Sequence, residues 1–77
     1  MKPSVCETTL DLRGLDPPEP LERVLDALGS LQRDRYLRMV IDREPVPLYG
    51  ILRRNGFEYS VDVMVDGCRE ICIWQGQ

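Results

Sequence analysis

Histidine is absent from this chain of 77 residues. The commonest general base and the commonest metal ligand are therefore missing, and no Ser-His or Cys-His nucleophile pair can form. Cysteine is scarce. Cys6, Cys68 and Cys72 make an odd count of 3, which does not suggest a disulfide framework. A zinc site would need all three thiols plus a carboxylate, and their spacing matches no zinc pattern, so neither a metal nor another cofactor is expected. Long apolar runs are also lacking: nothing approaches the roughly 20 residues of a membrane span. The opening MKPSVCETTL has no apolar stretch of the signal-peptide kind. Basic clusters are missing too. The 10 Lys and Arg are mixed among 13 Asp and Glu, for a net charge of −3, which argues against the basic stripe of a nucleic-acid surface. A cytoplasmic protein with neither a nucleic-acid nor a membrane partner is expected.

What is present is ordinary for a globular domain, with 43% apolar and 30% charged residues. The length allows one domain over 1–77 and one small core, with 1–7 as a flexible lead-in. TTLDLR (8–13) alternates apolar with polar, the period of a half-buried strand. From Leu21 the period changes. Leu21, Val24, Leu25, Leu28 and Leu31 recur at three and four, one face of a helix. Asp16 and Glu19 stand three apart just before it, a capping-box-like spacing. Pro17 and Pro18 lack N–H groups that a first turn leaves unpaired anyway, and the first helical residue falls between Pro17 and Pro20. YLRMVID (36–42) reads as a central strand, and Leu48, Ile51 and Leu52 mark a short helix stopped by Asn55-Gly56.

FEYSVDVMV, DG and CREICIW form a hairpin. Phe57, Tyr59, Val61 and Val63 share one face, and Ile71 and Ile73 form the buried face of the last strand. A two-residue Asp66-Gly67 loop would set Val61 opposite Cys72. A three-residue loop with Gly67 in the left-handed region sets Val61 opposite Ile71 and Tyr59 opposite Ile73, and so keeps the apolar faces together. The order is then β-α-β-α-β-β. Two short helices cannot cover both faces of a four-stranded sheet, so an α+β two-layer sandwich with both helices on one face of a mixed sheet is expected. Its open face carries Glu58, Ser60, Asp62, Met64, Cys68, Glu70, Cys72 and Trp74. There Met64, Cys72 and Trp74 make a small apolar patch, unless a terminus lies over it.

At LDLRGLDPPEP (10–20) the chain resembles the TusA/SirA-like sulfur-carrier family, whose signature runs Leu-Asp, a glycine, then Cys-Pro-x-Pro at the first helix start. Leu10, Asp11, Gly14, Pro18, Glu19 and Pro20 match. The resemblance implies the same β-α-β-α-β-β sandwich. It places the family's sulfur-carrying cysteine at Pro17, the usual basic neighbour at Asp16 and the family histidine at Phe57. The similarity is closer to an uncharacterised branch of this fold, a domain family of unknown function that carries Pro-Pro-Glu-Pro and the DREPxPLY segment, Asp42 to Tyr49 here.

A sulfur carrier needs a thiolate. Proline has no thiol, and a carboxylate at Asp16 would raise the pKa of a neighbouring one. Cys68 and Cys72 belong to the last strand, away from this corner, and their α-carbons are roughly 13 Å apart, too far for a disulfide. The first functional reading is therefore a non-catalytic binding or accessory module on a sulfur-carrier-like scaffold. If the first two strands are adjacent, Arg13, Asp16, Pro17, Pro18 and Glu19 at one strand-helix junction and Asp42, Arg43, Glu44 and Tyr49 at the other share one rim. Arg13 and Arg43 suit a carboxylate or phosphate, unless Arg43 is taken by Asp16 or Glu44. A protein partner or a small anionic ligand fits this rim. The charged open face argues for a monomer or weak dimer. The second reading is a sulfur-transfer or redox protein that uses a displaced cysteine, Cys72 or Cys6.

Overall fold

The computed structural model describes residues 1–76. Among them the chain forms β1 (Val5–Asp11), α1 (Glu19–Leu28), β2 (Arg35–Ile41), α2 (Val46–Arg54), β3 (Phe57–Val63) and β4 (Arg69–Gln75). The sheet order is β1-β2-β4-β3. β1 runs parallel to β2, and β4 is antiparallel to both of its neighbours. Both helices pack on one face: Val24, Leu28, Leu48 and Leu52 join Leu37, Met39, Ile41, Ile71 and Ile73 in one buried cluster. The α+β two-layer sandwich is thus the observed fold.

The hairpin has the register that the apolar pattern demands. Val61 faces Ile71 and Tyr59 faces Ile73. The Met64 N–H donates to the Cys68 carbonyl at 2.7 Å and the Gly67 N–H to the Met64 carbonyl at 2.9 Å, with Gly67 at φ +88°. A one-residue slip would have turned both isoleucines to the other face.

Three local expectations are corrected. Asp16 does not cap α1 with its side chain. The N-cap is Pro18, and Asp16 contributes only its carbonyl, which accepts the Glu19 N–H at 3.0 Å. With Glu19 and Pro20 as the first two helical residues, one of the donors a side-chain cap would satisfy is already absent. Leu25 is exposed, and Leu31 reaches the core from beyond the helix end, after the Gly29-Ser30 turn. Finally, β1 begins at Val5, so residues 5–7, expected as a flexible lead-in, run alongside β2 instead. A bulge explains why alternation hid this. Cys6 pairs with Tyr36 and Thr8 with Leu37, which leaves Glu7 as an extra residue. Glu7 Oε1 accepts the Gln32 N–H at 2.9 Å, so the bulge is tied to the turn that precedes β2. It also turns Cys6 to the face opposite Leu10, where its Sγ lies 3.7 Å from Thr9 Oγ1.

The sheet face without helices is partly closed. Cys72 is buried, and Trp74 is only 8% exposed. Lys2 reaches back over this face, with Nζ 4.3 Å from the centroid of Tyr36, the cross-strand neighbour of Trp74. Its charge also acts on the Cys72 thiol. The N-terminal arm therefore lies over the patch that the pattern left open, and the predicted register holds beneath it. An ion pair between Arg38 and Glu70, both part-buried, occupies the next position along the face. Trp74 is the chain's single tryptophan. Its fluorescence is expected to be blue-shifted and protected from acrylamide, and removal of residues 1–3 should raise the quenching. Emission that is red-shifted and freely quenched in the intact chain would show the face to be open.

Candidate functional site

The parallel pairing of β1 with β2 places both strand-helix junctions on one rim of the sheet. Two bonds lock them together. The Leu12 N–H donates to the Val40 carbonyl at 2.8 Å, and Asp42 Oδ2 accepts the Gly14 N–H at 2.9 Å. Gly14 stands at φ +78°, a conformation that an L side chain rarely adopts, so the contact with Asp42 depends on glycine. The hairpin turn reaches the same rim, because Ile41 pairs with Arg69.

Between the two helix starts lies an apolar groove of about 230 Å³. Its walls are proline: Pro17, Pro18 and Pro20 from the first junction, Pro45 and Pro47 from the second. Its floor is the core itself, formed by Val24, Met39, Ile41 and Leu48, all buried. The peptide bond between Pro17 and Pro18 is cis. Arg43 and Glu44 line the groove as its charged groups.

The anticipated rim residues divide. Pro17, Pro18, Arg43 and Glu44 come together in the groove wall. Asp42 serves the junction as just described. Glu19 is drawn into a pair with Arg23 one helical turn on, at 2.8 Å. Asp16 is exposed and makes no side-chain hydrogen bond among the described residues. Tyr49 is not part of the groove lining. Its ring stacks on Tyr59 with centroids 4.9 Å apart, and burial, with the Glu44 charge second, raises its phenol pKa.

Arg13 is committed to Asp11. Its Nε donates to Oδ1 and its Nη2 to Oδ2, each at 2.9 Å. The side-chain hydrogen bonds from Arg13, then its backbone N–H, hold the Asp11 carboxyl at about 2, below its ordinary 3.8. Since that pKa is depressed in the fold, the contribution of this pair is full above the unfolded carboxyl's value. It is lost as pH falls from roughly 4 toward 2. Carbon-detected titration of the carboxyls should place Asp11 near 2, and Arg13→Gln should return it toward the ordinary carboxylate range. An Asp11 that titrates normally in the parent chain would contradict the pair.

Arg43 has no such commitment. The carboxylate oxygen near it is Asp42 Oδ1 at 3.9 Å, not one from Asp16 or Glu44, and its guanidinium makes no hydrogen bond among the described residues. Cys68 was expected away from this corner but stands on the rim, close enough for Arg13 and Asp42 to act on its thiol. Desolvation, then the hydrogen bond and charge of Asp66, push that thiol up and outweigh Arg13. Cys72 is raised as well, chiefly by burial. No cluster of His, Cys, Asp and Glu suited to a metal occurs among the described residues. The groove was not visible as such in the sequence. Its one signal was the recurrence of proline at both junctions, Pro17, Pro18 and Pro20, then Pro45 and Pro47.

The β-α-β-α-β-β sandwich recurs in a protein of solved structure. A SirA-like protein from Desulfitobacterium hafniense has this fold, with a TM-score of 0.79 and 22% identity over 91% of this chain and 99% of its own. At that identity the likeness is one of fold. The chain belongs to the family described as "Uncharacterized conserved protein (DUF2249)", whose model matches residues 9–75. Comparison with the curated proteins finds no match.

Proposed function

We propose that this domain is a non-catalytic binding or accessory module of the cytoplasm, built on the sulfur-carrier scaffold, with the proline-walled groove as its site. The observation that carries this reading is the groove itself: open, apolar and bordered by Arg43 and Glu44, with no thiol or hydroxyl in its lining. Pro17, which aligns with the carrier cysteine in the resemblance described above, is one of its walls. A shallow apolar site with few polar groups binds and orients, and no thiol stands in it to carry sulfur.

The thiols elsewhere support the same view. Burial pushes the Cys72 thiol pKa up, which disfavours the thiolate. Cys6 is exposed on the opposite sheet face, where its thiol donates to the Thr8 carbonyl at 3.3 Å. Incubation with a cysteine desulfurase and cysteine, followed by intact-mass measurement, tests the reading. No cysteine should gain a sulfur atom. A persulfide on Cys6, Cys68 or Cys72 that disappears when that residue is changed to Ser would establish sulfur transfer instead.

A further inference from the structure

The groove combines features that restrict what it can hold. Its volume of about 230 Å³ exceeds the roughly 150 Å³ of an apolar cavity that takes benzene. A body of about ten non-hydrogen atoms fits, and the core residues beneath it offer only apolar side chains.

The one positive charge on the wall, Arg43, makes no hydrogen bond among the described residues. Its Nε is 3.9 Å from Asp42 Oδ1. Arg13, by contrast, is held by Asp11 through two hydrogen bonds. Asp42 also gives its other oxygen to Gly14. The starts of α1 and α2 both border the groove, and the positive ends of their dipoles favour an anion there. The prolines then limit which anion. Pro20 and Pro47 remove backbone donors from the first turns, where an anion with several oxygens would look for them. Glu44, on the same wall, opposes a second negative charge. A phosphate, dianionic and rich in acceptors, is therefore poorly served. A carboxylate needs only the guanidinium fork.

We propose that the groove binds a small monocarboxylic acid, with its apolar body between the two proline walls and its carboxylate on Arg43. This rests on the reading of the groove as the binding site and names the class of ligand.

Phenylacetate, 2-phenylethanol and inorganic phosphate distinguish the possibilities when titrated into the isotope-labelled full chain and followed by amide NMR. Phenylacetate should shift the amides of Leu21, Val24, Arg43 and Leu48 saturably, with a dissociation constant on the order of a millimolar for so small a molecule. Arg43→Gln, a change at an exposed side chain, should weaken it about threefold or more. Leu21→Phe, which narrows the groove, should weaken phenylacetate and 2-phenylethanol together. Equal binding of phenylacetate and 2-phenylethanol, unchanged by Arg43→Gln, would overturn the carboxylate assignment and leave the groove as the site. Phosphate bound as tightly as phenylacetate would overturn it in favour of simple anion capture. Groove amides that respond to none of the three would overturn both the ligand class and the groove reading. None of these outcomes depends on the persulfide measurement, which tests the absence of sulfur transfer separately.

Discussion

Leu52→Ala lowers the stability of the domain by about 3 kcal/mol, within the range measured for buried leucine truncations. The corresponding drop in Tm is on the order of 12–24 °C for a chain of this size. Leu52 is 0% exposed. Only it and Leu48 are fully buried on α2, so they supply most of what holds this helix to the sheet. The helix has little reserve of its own. It is 9 residues long, with Pro47 near its start and Gly50 at its middle, and isolated helices of that length are not stable in water. Removing the leucine leaves a void among atoms that cannot close over it, because Ile71 and Ile73 in the same cluster are held by β4, an interior strand paired on both sides. The effect should extend to the groove, since α2 contributes one of its walls. Thermal or urea unfolding by circular dichroism measures it, with Arg54→Ala as an exposed control expected to change stability by less than about 0.5 kcal/mol. A Tm for Leu52→Ala close to that of the control would mean that α2 does not pack as described.

Gly67→Val is the second large effect, and its cause is different. Gly67 stands at φ +88° in the hairpin turn. A side chain added there meets nothing within 4 Å, so space is not the obstacle. The obstacle is the backbone, since an L residue at positive φ brings its Cβ against its own carbonyl, and a β-branched one is worst placed. About 2 kcal/mol is expected. Gly67→Asn should cost clearly less, because asparagine tolerates the left-handed region. The order glycine, asparagine, valine in Tm is therefore the signature of the turn. Asp66 supports the same turn by accepting the Cys68 N–H on Oδ1 at 3.0 Å, which also lowers its own carboxyl pKa. Equal Tm values for the asparagine and valine variants would show that the loop does not demand this conformation.

Chain-local physics made most of the fold legible. The alternation of Phe57, Tyr59, Val61 and Val63 against Ile71 and Ile73 admits one register once one face must be buried. The need for Gly67 at positive φ then followed from the loop length alone. The repeat at Val24 and Leu28, and again at Leu48 and Leu52, marked the helix faces that are buried. Where two local signals competed, the pattern misled. Asp16 looked like a cap, but the run of prolines moved the helix start to Glu19 and left a proline at the cap. The bulge at Glu7 broke the period of β1 and hid its first residues.

The sequence by itself determined the order of elements, the sandwich class and the hairpin register, because each depends on neighbours a few positions apart. Only the tertiary structure decided what the rim residues do. Gly14 and Asp42 meet because parallel pairing aligns two strands about thirty residues apart in sequence. The groove exists because two proline-rich junctions face each other across that alignment, and Arg43 borders it without a hydrogen bond while Asp42 beside it holds Gly14. Tyr36 and Cys72 meet Lys2 because the start of the chain folds back over their face of the sheet. Each is an encounter between distant segments, set by the closure of the chain and the packing of its core, and no short-range pattern in the sequence encodes it.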